Sequence, residues 1–101
     1  MIRVSVLYPD SEGATFDMSY YLDSHMPMVR EKLGSALHKD EIWKGLGAPG
    51  DQPATYRVLL HMYFDSPESF NTAFGAHAAG IMADIPKYTN IQPVIELEAE
   101  A

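Results

Sequence analysis

The sequence predicts an α+β domain of the split βαβ, or ferredoxin-like, type: a four-stranded antiparallel sheet with two helices on one face. Three observations predict it. Apolar residues alternate with period two over residues 2–8, 55–64 and 89–98. They recur with a helical period over 17–34 and 67–85, each stretch closed by a glycine or a proline. A mixed segment, 36–47, fills the remaining strand position, so the order is strand, helix, strand, strand, helix, strand.

In the first strand Ile2, Val4, Val6 and Tyr8 share a face, and Pro9 with Asp10-Ser11-Glu12-Gly13 stops it. Asp17 is placed to cap the first helix. At about 100° per residue, Met18, Leu22, His25, Val29 and Leu33 form one inward stripe. Pro27 has no amide hydrogen and is expected to bend or break this helix, and Gly34 to end it. Residues 36–47 mix Leu37, Ile42, Trp43 and Leu46 with charges and read as a bent second strand. The loop 47–53, rich in Gly and Pro, leads into the long third strand.

Ser66 and Pro67 supply a cap and a first-turn proline for the second helix. Its stripe is Phe70, Ala73, Phe74, His77, Ala78, Ile81, Met82 and Ile85, weakened locally at Gly75 and Gly80. Pro86 ends it. In the last strand Pro93 indicates an edge position or a bulge. The third strand sets Tyr56, Val58, Leu60, Met62 and Phe64 on one face and Leu59 and Tyr63 on the other, while the last strand and Leu7 offer apolar groups to both. A second apolar face predicts a covering subunit, most simply a two-fold homodimer packed sheet on sheet.

With 101 residues the chain is expected to be one domain, 1–101. Fourteen acids against seven bases, a net charge of −7, argue against nucleic acid and anionic membrane as partners. The absence of cysteine removes disulfides, thiolate catalysis and Cys-ligated metals. No apolar run has the length of a membrane span, and strand 2–8 begins without a signal-peptide pattern, so a cytoplasmic location is expected.

Two motifs, Tyr20-Tyr21-x-x-x-His25-x-Pro27 and Ala83-Asp84-Ile85-Pro86-x-Tyr88-Thr89-Asn90-x-x-Pro93, resemble the EthD family, named for a gene linked to ethyl tert-butyl ether degradation. The likeness runs from the first strand to the last. It implies a dimeric α+β barrel, in a superfamily that also holds antibiotic-biosynthesis monooxygenases, muconolactone isomerases and polyketide cyclases. It further implies a ligand cavity between helices and sheet.

His25 is the leading catalytic candidate, a titratable ring on an inward stripe, weighed against a core histidine bonded to a carbonyl freed by Pro27. Tyr21, one turn earlier, is its expected partner or else an aromatic packing residue, whereas Tyr20 is expected to point away. His77, Phe74, Trp43 and Asp84 are candidates to line a substrate pocket; for Asp84, at a pocket mouth or paired with Arg57, the stronger reading is a cap on the turn into the last strand through bonds to backbone amides. Two inward histidines without a third ligand or an HxH or HxxxH spacing do not make a metal site. No GxGxxG, P-loop or nucleophile elbow is present, so no cofactor is expected. The resulting expectation is a cofactor-independent isomerase, cyclase or monooxygenase acting on a small apolar or aromatic carbonyl compound through His25. The alternative is a non-catalytic binding or accessory protein of a degradation pathway.

Overall fold

The computed structural model describes residues 1–101. Four antiparallel strands, β1 (Ile2–Pro9), β2 (Lys39–Lys44), β3 (Tyr56–Phe64) and β4 (Val94–Ala99), lie in the order β2-β3-β1-β4. The helical segments are α1 (Met18–Tyr20), a π-helical turn (Tyr21–His25), α2 (Met26–Leu33), α3 (Pro67–Gly75) and α4 (Ala78–Asp84). The fold is ferredoxin-like. β1 sits between β3 and β4, with Val4 opposite Met62 on one side and Leu97 on the other.

The core follows the alternation read from the sequence. Val4, Val6 and Tyr8 of β1 and Val58, Leu60, Met62 and Phe64 of β3 are buried against Tyr21, Met26, Val29, Leu33, Phe70 and Ile81 of the helical layer. Phe64 meets Phe70 edge to face at 5.1 Å, joining sheet to α3.

Four boundaries differ from the sequence reading, each for a local reason. Asp17 caps α1 through Tyr20 N–H, but Pro27 does not break the helix; the turn before it widens, with Met26 N–H bonding to Tyr21 C=O. An i→i+5 turn accommodates a ring that would strike the preceding turn of a regular α-helix. The wider turn also shifts the helical phase: Tyr21 and Met26 are fully buried, and Leu22, assigned inward from sequence, is 44% exposed. The second helix breaks after Gly75, where His77 takes a non-helical conformation.

β2 is shorter than 36–47, because Gly34, at φ 56°, is followed by a 3-10 turn over Gly34–Ala36. β4 starts only at Val94, because Thr89 Oγ accepts from Ile91 N–H and bonds to Thr15 C=O, folding the approach into a turn that ends at Pro93. As expected for that proline, β4 is an edge strand.

The helix-free face is polar at one end and apolar at the other. At the polar end Ser5 is fully buried, donating to Glu98 (2.6 Å) and lying 2.8 Å from His61 Nδ1, while Arg3 also reaches Glu98 at 2.7 Å. At the apolar end the register aligns Trp43, Leu59, Leu7 and Val94 in one row across the four strands. Trp43 and Val94 are exposed.

Candidate functional site

His25 closes the π-helical turn and points into the space between helices and sheet, 3% exposed. Asp84, at the end of α4, approaches it from the other helical arm. Its Oδ2 lies 2.9 Å from His25 Nδ1. The other oxygen, Oδ1, accepts from the Tyr20 hydroxyl at 2.8 Å and lies 3.6 Å from Lys87 Nζ. On the far side of the imidazole, Nε2 is 3.3 Å from the Tyr88 hydroxyl, which is 2.8 Å from the Tyr8 hydroxyl. Five side chains from β1, both helical arms and the turn before β4 thus form one hydrogen-bonded chain.

The electrostatics assign its hydrogens. Burial pushes the Asp84 carboxyl up, but hydrogen bonds from His25 and Tyr20, and the charges of His25 and Lys87, outweigh that and hold it below its ordinary 3.8. An ionised carboxylate only accepts, so His25 Nδ1 carries the hydrogen and Nε2 the lone pair. Burial lowers the His25 pKa from 6.5, opposed by the Asp84 hydrogen bond and charge, so the ring is neutral at pH 7. Burial likewise raises the pKa values of Tyr8 and Tyr88, keeping both phenols protonated.

His25 and Tyr8 both line a small cavity whose other walls include Val29, Leu60, Phe74, Ile81 and Met82. The cavity holds about 30 Å³, room for about one water molecule. Its margin is formed by side chains that reach the surface, Met82 of α4 and Ile95 of β4. Met82 is unbranched, so its side chain can change rotamer at little cost.

The structure brings together only some of the residues singled out from sequence. His25 and Phe74 line the cavity. Asp84 lies behind His25, with its oxygens on Tyr20 and His25 and not on backbone amides. Tyr21 stacks on the imidazole, 5.7 Å between centroids and 16° between planes, but its buried hydroxyl has no hydrogen-bond partner. Tyr20, expected to point away, turns back to Asp84. His77 begins α4 outside the cavity wall, and Trp43 is 60% exposed on the helix-free face. No three His, Asp or Glu side chains converge as metal ligands.

Tyr8, Tyr20 and Tyr88 were not singled out as site residues from sequence. Tyr8 carried a signal, a phenol ending the inward face of a strand, and Tyr88 lay within the second motif.

That second motif as far as Asn90, with the His25 motif, falls inside residues 11–92, which match the EthD domain. The chain belongs to the EthD family. An EthD-like protein from Ralstonia eutropha JMP134 is 42% identical over 96% of this chain and 88% of its own, with a TM-score of 0.90. An EthD family protein from Bacillus halodurans C-125 is 21% identical over 100% and 99%, with a TM-score of 0.71. A dimeric protein of unknown function and ferredoxin-like fold from Bacteroides fragilis NCTC 9343 is 13% identical over 98% and 95%, with a TM-score of 0.59. The last two likenesses speak for the fold alone. Among curated proteins none matches the sequence. In this EthD chain no helix is long and apolar enough to cross a membrane.

Proposed function

We propose that this EthD protein binds a small apolar or aromatic carbonyl compound between its helices and sheet, and that His25 acts on it as a general base without a cofactor. The observation that carries the reading is a buried, neutral imidazole, held at Nδ1 by an ionised carboxylate, in the wall of an apolar cavity. Asp84 fixes the tautomer and offsets the positive charge that forms when Nε2 takes a proton. An apolar surround suits a substrate whose acidity comes from a neighbouring carbonyl. The cavity widens at Met82 and Ile95 to admit it.

We place the working form as a homodimer. The helix-free face supports this with its apolar row, and the subunit is flat, 39 × 35 × 18 Å, with one broad side free of helices.

The test is deuterium wash-in at the carbon next to the carbonyl, followed by proton NMR, for acetophenone, 1-tetralone and phenylacetone in D2O. Exchange above the buffer rate is expected for at least one, with a loss of about 10²–10⁴-fold in His25→Ala. No exchange for any compound, or equal exchange in the variant, refutes the base. Thermal stabilisation by the same compounds without exchange would instead favour a binding protein.

A further inference from the structure

The apolar row of the helix-free face has a counterpart at the other end of the sheet. There the register aligns Lys39, Tyr63, Arg3 and Glu98 across the same four strands, so the face has an apolar end and a charged end. At the charged end the two edges differ in sign, with Lys39 on β2 and Glu98 on β4. At the apolar end the same edges carry the exposed Trp43 and Val94.

This layout discriminates between ways of seating a second copy. Two sheets packed face to face keep their strands within about 30° of each other, and a two-fold axis between them then has two choices. An axis across the strands sets each edge on its own copy and swaps the ends. Trp43 would meet the partner's Lys39, Leu7 the partner's Arg3 and Val94 the partner's Glu98, burying charge against apolar surface. An axis along the strands keeps each end at its level and swaps the edges. Trp43 then meets the partner's Val94, Leu59 the partner's Leu7 and Lys39 the partner's Glu98. Apolar lies on apolar, and cation on anion. Either choice sets Glu41 and Glu96 of the middle row against a like charge, so that row does not decide.

We propose that the second copy packs with its two-fold axis along the strands, each β2 edge lying over the partner's β4 edge. This rests on the homodimer given above and adds its orientation.

The orientation brings the partner to the cavity. β2 runs antiparallel to β4, so the chain beyond Trp43 continues over the partner's residues that precede Val94. Leu46, 96% exposed, is carried toward the partner's Pro93, which is a wall of the cavity. The second subunit thus contributes to the rim of the site, and the bare Leu46 gains the cover its own subunit lacks.

Cross-linking tests the proposal. The chain has no cysteine, so introduced thiols are the only ones present. Trp43→Cys and Val94→Cys alter exposed positions, and facing positions on packed sheets lie about 10 Å apart, within reach of bismaleimidoethane. Within one sheet the two edges are about 14 Å apart, three strand spacings. Subunits of the two variants are dissociated in urea, refolded as a mixture and treated with the reagent. A covalent dimer on a denaturing gel is expected from the mixture and from neither variant alone. Linkage of Trp43→Cys to Lys39→Cys instead, or of either first variant to itself, overturns the axis and leaves the homodimer. So does the absence of any covalent dimer from variants that sediment as dimers.

In the same assay Leu46→Cys is expected to link to Gln92→Cys, next to Pro93. Failure of that pair, with positions 43 and 94 linked, overturns the reach of the arm to the cavity and leaves the axis standing. A wild-type monomer in sedimentation velocity overturns the homodimer, and its orientation with it.

Discussion

Replacing Asp84 by alanine isolates what the carboxylate does for His25. The imidazole is 3% exposed, and Nδ1–H has no partner besides Asp84 Oδ2 at 2.9 Å. Deleting the carboxylate leaves a buried ring nitrogen unsatisfied. Moving the proton to Nε2 does not help, because Nδ1 then becomes an acceptor without a donor. An unsatisfied buried polar group costs about 1–3 kcal/mol. The lost Tyr20 bond adds little, since that hydroxyl can turn to water. For a domain of this length, about 2 kcal/mol lowers Tm by roughly 10 °C.

The pH dependence has a definite sign. His25 binds its proton more weakly folded than unfolded, so between its lowered folded pKa and 6.5 the unfolded chain holds more protons. Wild-type stability is therefore full above pH 6.5 and falls as the pH drops below it. Asp84 opposes the lowering, so Asp84→Ala extends the acid loss to lower pH and makes it larger. Thermal melts of both proteins at half-unit steps from pH 5 to 8 read this directly. A Tm for Asp84→Ala within 2 °C of wild type at pH 7.5, or parallel pH profiles, would refute the reasoning, 2 °C being well below the shift of roughly 10 °C expected here.

Other outcomes follow from single contacts. Tyr21→Phe removes a buried hydroxyl that has no partner, so Tm in thermal melts is expected to be unchanged or higher, and a fall worth more than about 1 kcal/mol would show a hidden bond. Gly45→Ala would set a Cβ 1.8 Å from the Tyr56 carbonyl oxygen, where the chain leaves β2. Urea unfolding should show a loss of at least about 2 kcal/mol, read against the range for the most damaging point mutants. Sedimentation velocity at micromolar concentration should find a dimer. Leu59→Arg, in the apolar row of the helix-free face, should convert it to monomer without changing the far-ultraviolet circular dichroism.

Much of the fold was legible because two periodicities carry it. Alternation in β1 and β3 selected the buried face residue by residue, since side chains on a strand reverse face at every step. The caps at Asp17 and Ser66 were equally readable, because a short oxygen-bearing side chain ahead of an apolar run satisfies free amides. Leu22 went to the wrong side for a reason no 100° wheel contains. The π turn before Pro27 changes the phase in mid-helix. The second helix looked continuous because its apolar spacing survives the interruption at Ala76 and His77.

The site divides in the same way. By itself the sequence determined that His25 would point inward from the first helix and that a sheet would lie beneath it, because both follow from local period and sterics. It also placed Asp84 among the candidates, through a motif and without its partner. Only the tertiary structure decided that Asp84 stands behind His25, that Tyr20 turns toward it, that Tyr88 reaches the other ring nitrogen and that Tyr8 reaches Tyr88. These contacts join residues from 59 to 80 positions apart. A hydrogen bond depends on where two side chains end in space, to within a few tenths of an ångström. Chain periodicity says which way each one sets out, and the packing of β1, the helices and the approach to β4 decides where they meet.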